Sequence, residues 1–107
     1  MIQATIYLKG KQRDGFEISG HAQYAPHGQD IVCAAVSMLA ITTVNSLLEQ
    51  VGQVMIKSSD DGLVSCRLPE ELDELAMVKA QAILKTLEIG LNGVQIEYPK
   101  YITLQKR

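Results

Sequence analysis

Met1-Ile2-Gln3-Ala4-Thr5-Ile6-Tyr7-Leu8-Lys9 places Ile2, Ala4, Ile6 and Leu8 at every second position, the spacing at which side chains leave the same side of a β-strand. Phe16 and Ile18 resume the alternation after the polar stretch Lys9 to Gly15, so the N-terminus reads as a β-hairpin that turns within that stretch. The period then changes. Asp30 precedes an apolar segment in which Val36, Ala40, Val44, Leu47 and Val51 recur at helical spacing, and Gly52 follows as a stop; a helix is predicted over about 30–51. Gln53 to Ser58 and Leu63 to Leu68 flank Ser59-Asp60-Asp61-Gly62, whose Asp-Gly pair signals a second hairpin. Pro69-Glu70-Glu71 has the order of a helix start, Leu72, Leu75, Ala76, Ile83 and Leu87 supply a stripe, and Gly90 or Gly93 supplies an end. After Pro99, Tyr101 to Gln105 returns to strand alternation. The order ββαββαβ predicts a two-layer α+β domain, with both helices on one face of a largely antiparallel five-stranded sheet.

At 107 residues and 47% hydrophobic, the chain has material for one core, and residues 1–107 read as a single domain. Ten Lys and Arg against twelve Asp and Glu leave a net charge of −2. That balance offers no broad positive surface for phosphates, so direct nucleic-acid binding is not expected. The N-terminus lacks the basic and continuous apolar regions of a signal peptide, and no uninterrupted apolar run reaches the roughly 18 residues of a membrane span. A cytoplasmic protein with no membrane contact and with both cysteines, Cys33 and Cys66, reduced is the expectation.

Between the first hairpin and the first helix, Gly20 to Gln29 loses all periodicity, and Pro26 and Gly28 block regular structure. Chemistry-bearing side chains gather here. Cys33 falls three positions after the cap candidate Asp30, in a first helical turn whose unpaired amides and dipole favour a thiolate. It also falls on the Val36-Ala40-Val44 stripe, where a cysteine serves as a small core residue. His21 precedes it by twelve positions, a separation the loop can close, and a neutral imidazole there would take the thiol proton. The alternative is an exposed strand-end histidine, and strict alternation would put His21 on the sheet face opposite Phe16 and Ile18 unless Gly20 turns the chain. Asp30 has two competing uses, helix cap and orienter of His21, of which the cap is favoured. His21, His27, Asp30 and Cys33 match no common zinc spacing, and no metal or cofactor is expected. Cys66, alternating with Val64 and Leu68, reads as core.

Gly20-His21-Ala22, then Gly28-Gln29, then Asp30-Ile31-Val32-Cys33-Ala34-Ala35-Val36-Ser37 resembles the signature of the ribosomal-processing cysteine protease Prp family. Gly90-Leu91 and Tyr98-Pro99-Lys100-Tyr101-Ile102 carry a softer likeness, so the resemblance spans nearly the whole chain. It implies that Cys33 is the nucleophile and His21 the general base, with Gly20, Asp30 and Ser37 in support. It also implies a cytoplasmic homodimer that removes the N-terminal extension of a large-subunit ribosomal protein, cutting after a pair of phenylalanines. Backbone amides at the start of the first helix, including that of Cys33, are the expected oxyanion donors. Tyr24 and Pro26 are the expected substrate contacts of a loop, residues 22–29, that is mobile until substrate orders it. The rival reading is a non-enzymatic ribosome-associated adaptor, which has no need of a reactive thiol.

Overall fold

A computed structural model describes residues 1–26, 29–60 and 62–107; His27, Gly28 and Asp61, and the readings that fall on them, lie outside it. The elements run β1 (Ile2–Lys9), β2 (Gln12–Ser19), α1 (Ile31–Gln50), β3 (Met55–Ser59), β4 (Leu63–Arg67), α2 (Glu74–Glu97) and β5 (Ile102–Lys106). This is the expected ββαββαβ order. The strands form one sheet in the order β3-β4-β2-β1-β5. Every neighbouring pair is antiparallel except β1 with β5, because the chain crosses back over α2 before adding β5. The sheet is therefore mixed.

Alternation decides which face is covered. Ile2, Ala4 and Ile6 of β1, Phe16 and Ile18 of β2 and Cys66 of β4 are all buried beneath the helices. α1 answers with Val32, Val36, Ala40, Thr43 and Leu47, and α2 with Ala80, Leu84, Leu87 and Leu91. All of these except Thr43, whose hydroxyl donates to the Leu39 carbonyl, form a single apolar cluster. The first hairpin turns more tightly than expected: Gly10-Lys11 is the whole turn, and Asp14 is an extra residue between the Leu8–Arg13 and Tyr7–Gly15 pairs. Gly15 is required just there, since a Cβ would collide with the Cys66 carbonyl of the adjacent strand.

α1 matches its predicted limits. The Asp30 side chain caps its start, and Val51 and Gly52 both donate N–H to the Leu47 carbonyl at its end. α2 does not match. It begins at Glu74 rather than at Pro69-Glu70-Glu71, because Asp73 is the residue whose carboxylate accepts the Ala76 N–H at 2.8 Å. It also runs through Gly90 and Gly93 to Glu97, since Leu87, Leu91 and Val94 continue its buried face past both glycines. Leu75, assigned to that stripe from sequence, is exposed, one turn before the face that packs. By length and composition α1, residues 31–50, is long and apolar enough to cross a membrane, a test that the core helix of a soluble protein also meets. One side of it packs on the sheet, and its outer side leaves Met38, Ile41 and Leu48 exposed.

Candidate active site

β2 stops at Ser19, so the alternation that would have misplaced His21 ends two residues before it. Gly20 makes the turn, at φ +86, with its Cα so close to the Met1 carbonyl that a Cβ would lie 2.5 Å from that oxygen. His21 emerges from this turn as an exposed side chain beside the start of α1. Cys33 sits in the first turn of α1, half-buried and packed against the core, a placement compatible with both the nucleophile and the core reading of it.

The two side chains line one cavity of about 620 Å³. Its inner wall is apolar, made by Ile2, Ile18, Val36, Ala40 and Val64; His21, Gln23, Asp30, Cys33 and Ser37 form its polar side. A larger groove of about 810 Å³ runs between α1 and α2, and among the described residues neither a histidine nor a cysteine lines it. Of the two, the first is the one in which a thiol and an imidazole meet.

Backbone amides organise the sulfur. The Ala22 N–H donates to Cys33 Sγ at 3.3 Å, so the residue after His21 is tied directly to the thiol. Asp30 Oδ1 accepts the N–H groups of Val32 and Cys33, both at 3.0 Å, and Oδ2 accepts the Tyr24 N–H at 3.0 Å. Asp30 is thus the helix cap, and also a tie between loop and helix. The Cys33 N–H, expected as an oxyanion donor, is occupied by this cap, and the Ala34 N–H donates to the Asp30 carbonyl. Desolvation works against the Asp30 charge. The hydrogen bonds from the Cys33 and Tyr24 backbones, the Cys33 side chain and the Ala25 backbone outweigh it and hold the carboxyl below its ordinary value. Cys66 has the opposite surroundings. It is fully buried opposite Phe16 and Ile56, and burial pushes its thiol up to about 11, as suits a core residue.

Of the other expected residues, Gly20 and Ser37 line the cavity, whereas Tyr24 and Pro26 do not. The Tyr24 ring packs edge-on against Tyr98 and Tyr101, at 5.6 and 5.0 Å between centroids, where the end of α2 meets β5. Pro26 is exposed. With Ala22 buried and Tyr24 held by both its amide and its ring, the first half of the loop is more restrained than its composition indicated. Gln23 joins these two anchored residues at φ +57, the left-handed region that a residue other than glycine seldom adopts. Sequence reasoning missed Gln23, Gly62 and the apolar wall as parts of the site. Among the described residues, no group of three or more His, Cys, Asp or Glu is arranged to hold a metal ion.

The profile of a protein family described as cysteine protease Prp matches residues 1–103 of the chain. A ribosomal processing cysteine protease Prp of Bacillus subtilis is 36% identical over 101 residues, covering 92% of this chain and 90% of that protein. One from Staphylococcus aureus is 29% identical over 105 residues, covering 96% and 94%. The fold also superposes, over the whole of both chains, on a crystal structure of an essential ribosomal processing protease Prp from S. aureus with a covalently linked product peptide. The TM-score is 0.88 at 26% identity. A second S. aureus structure, with a substrate peptide, gives 0.82 at 25% identity. With the profile spanning all but the last few residues and full-length relatives at this identity, the chain belongs to the cysteine protease Prp family.

Proposed function

We propose that the chain is a cysteine endopeptidase acting through Cys33 as nucleophile and His21 as general base, on a ribosomal protein from which it removes an N-terminal extension. The observation that carries this is the joint lining of one cavity by His21 and Cys33, with the Ala22 N–H on the sulfur. His21 takes the thiol proton, and the thiolate attacks the scissile carbonyl carbon. A C–S bond forms while the carbonyl π pair moves onto oxygen. The tetrahedral species collapses, the C–N bond breaks, and His21 returns the proton to the leaving amine, leaving a thioester on Cys33. Water then attacks the thioester, giving up a proton to His21, and the acid product leaves as the thiol is restored.

The apolar wall of Ile2, Ile18, Val36, Ala40 and Val64 supports a substrate with large apolar side chains beside the cut, as a pair of phenylalanines provides. The active form is a cytoplasmic homodimer. Its support is the apolar surface left uncovered on the two helices, Met38, Ile41 and Leu48 on α1 with Ile89 and Ile96 on α2.

The test is cleavage of a peptide carrying such an N-terminal extension. Cys33→Ala is expected to abolish cutting, by at least about a thousandfold, with the fold retained, because the Sγ is lost and a good helix former remains. Cys66→Ala retains activity. Cutting by Cys33→Ala at a comparable rate overturns the mechanism, and slow alkylation of Cys33 in the folded protein would favour the adaptor.

A further inference from the structure

Gly62, the residue just before β4, reaches the active site from the β3-β4 edge of the sheet. β4 pairs with β2 in a register that sets Val64 opposite Ile18, and continuing that register sets Gly62 opposite Gly20, next to His21. The contact is close. A Cβ built on Gly62 would lie 2.9 Å from His21 Cε1, 3.1 Å from Nε2 and 3.2 Å from the Gly20 carbonyl oxygen. Gly62 also lines the same cavity as His21 and Cys33, at φ +86, with its N–H donated to Ser59 O at 3.3 Å.

We propose that Gly62 is a positioning residue for His21: its bare backbone is the wall against which the Cε1–Nε2 edge of the imidazole rests in its working orientation. The inference rests on the reading of His21 as general base. An exposed histidine has several staggered rotamers, and a base that visits them all spends little time aimed at the sulfur. In a triad a carboxylate restricts the ring, but both oxygens of Asp30 are engaged by the amides of Val32, Cys33 and Tyr24. Here the restriction is steric, and it comes from an element fixed to β2 by the sheet ladder. Any Cβ at position 62 occupies the space that the ring now fills, so glycine is needed for the site as well as for the turn.

Gly62→Asn separates those two needs, because asparagine tolerates positive φ better than other side chains yet carries a Cβ. Gly10→Asn is the control: Gly10 sits in the other hairpin turn at φ +65, and its Cβ would meet nothing within 4 Å. Peptide cleavage by Gly10→Asn is expected to match the unmodified protein. For Gly62→Asn, kcat is expected to fall on the order of a hundredfold, with KM changed less than about threefold and Tm close to that of Gly10→Asn. A purely structural role would lower Tm without this split of kcat from KM. Wild-type kcat in Gly62→Asn, with His21→Ala inactive, overturns this inference alone; wild-type activity in His21→Ala overturns the general-base reading and this inference with it. NMR on the unmodified protein provides a measurement that needs no variant. An NOE between His21 Hε1 and the Gly62 Hα protons is expected, and its absence overturns the proposal.

Discussion

Asp30 makes more hydrogen bonds than a helix cap requires, and the surplus bond is the one that matters for the loop. Oδ1 caps α1 through Val32 and Cys33, while Oδ2 holds the Tyr24 amide. Asparagine keeps the capping oxygen but turns an NH₂ donor toward the Tyr24 N–H, so Asp30→Asn is expected to preserve the helix start and loosen the loop. Asp30→Ala loses both. In urea unfolding the Ala variant should be the less stable, and in peptide cleavage it should be on the order of tenfold less active than the Asn variant. Equal and near-complete loss in both, at unchanged stability, would instead assign the carboxylate to His21. Its depressed pKa gives the same ordering a pH signature: the contribution is present above the ordinary carboxyl value of 3.8 and fades as pH falls below it. At this scale the sequence was legible where a side chain does the work. Asp30 before an apolar helix and Cys33 one turn in announce themselves. The Ala22 amide on the sulfur and the Gly62 backbone against the imidazole do not, because any residue type has an N–H and a glycine in a hairpin already has a sufficient local reason.

Glycine inside α2 shows how element-level signals fail. Gly90 and Gly93 read as helix ends because glycine costs a helix up to about 1 kcal/mol relative to alanine, yet the apolar register of Leu84, Leu87, Leu91 and Val94 outweighs two such costs. The two positions are not equivalent. A Cβ on Gly90 would press on Leu39 of α1 at 2.7 Å from Cδ2, whereas a Cβ on Gly93 meets nothing within 4 Å. Gly93→Ala is therefore expected to stabilise the protein by about 0.5–1 kcal/mol in urea unfolding. A loss instead would place the homodimer contact inside the interhelical groove beside Gly93 rather than on the outer apolar positions alone. The same logic separates the legible elements from the rest. The two hairpins and α1 carry their own turn, cap and stop residues, so local chemistry sufficed. The start of α2 is not legible because Pro69-Glu70-Glu71 and Asp73 offer competing starts a few residues apart, and the choice falls to the Asp73 cap on the Ala76 N–H together with the packing of Ala80 and Leu84. That β5 lies parallel to β1 has no local signature at all, since it depends on where α2 delivers the chain.

Across the whole molecule one buried carboxylate joins three elements. Glu88 of α2 is 6% exposed. It accepts from Arg13 Nε of β2 at 3.0 Å and from Lys85 Nζ of its own helix at 3.1 Å, with Lys106 Nζ of β5 at 3.7 Å. The Arg13 hydrogen bond, opposed by desolvation and aided by Lys85 and by the charges of Arg13 and Lys106, brings its pKa from 4.5 to about 2. The folded value lies below the unfolded one, so the carboxylate contributes its full stabilisation above about pH 4.5 and loses it as pH falls toward 2. Glu88→Gln keeps the shape and leaves Arg13 facing a neutral amide. At neutral pH the variant should be less stable by about 2 kcal/mol, a value below the full linkage figure because both lysines are half exposed to screening water. Glu88 lines a separate cleft with Lys85 and Lys106, away from the cavity of His21 and Cys33, so peptide cleavage per folded molecule should be unchanged. The measurement is urea unfolding of both proteins at pH 7 and pH 3. The unmodified protein is expected to lose more stability than the variant between these values, so that the gap between them narrows in acid. A gap that stayed constant would mean that Glu88 holds helix to sheet by packing alone, and that its charge contributes nothing to the fold.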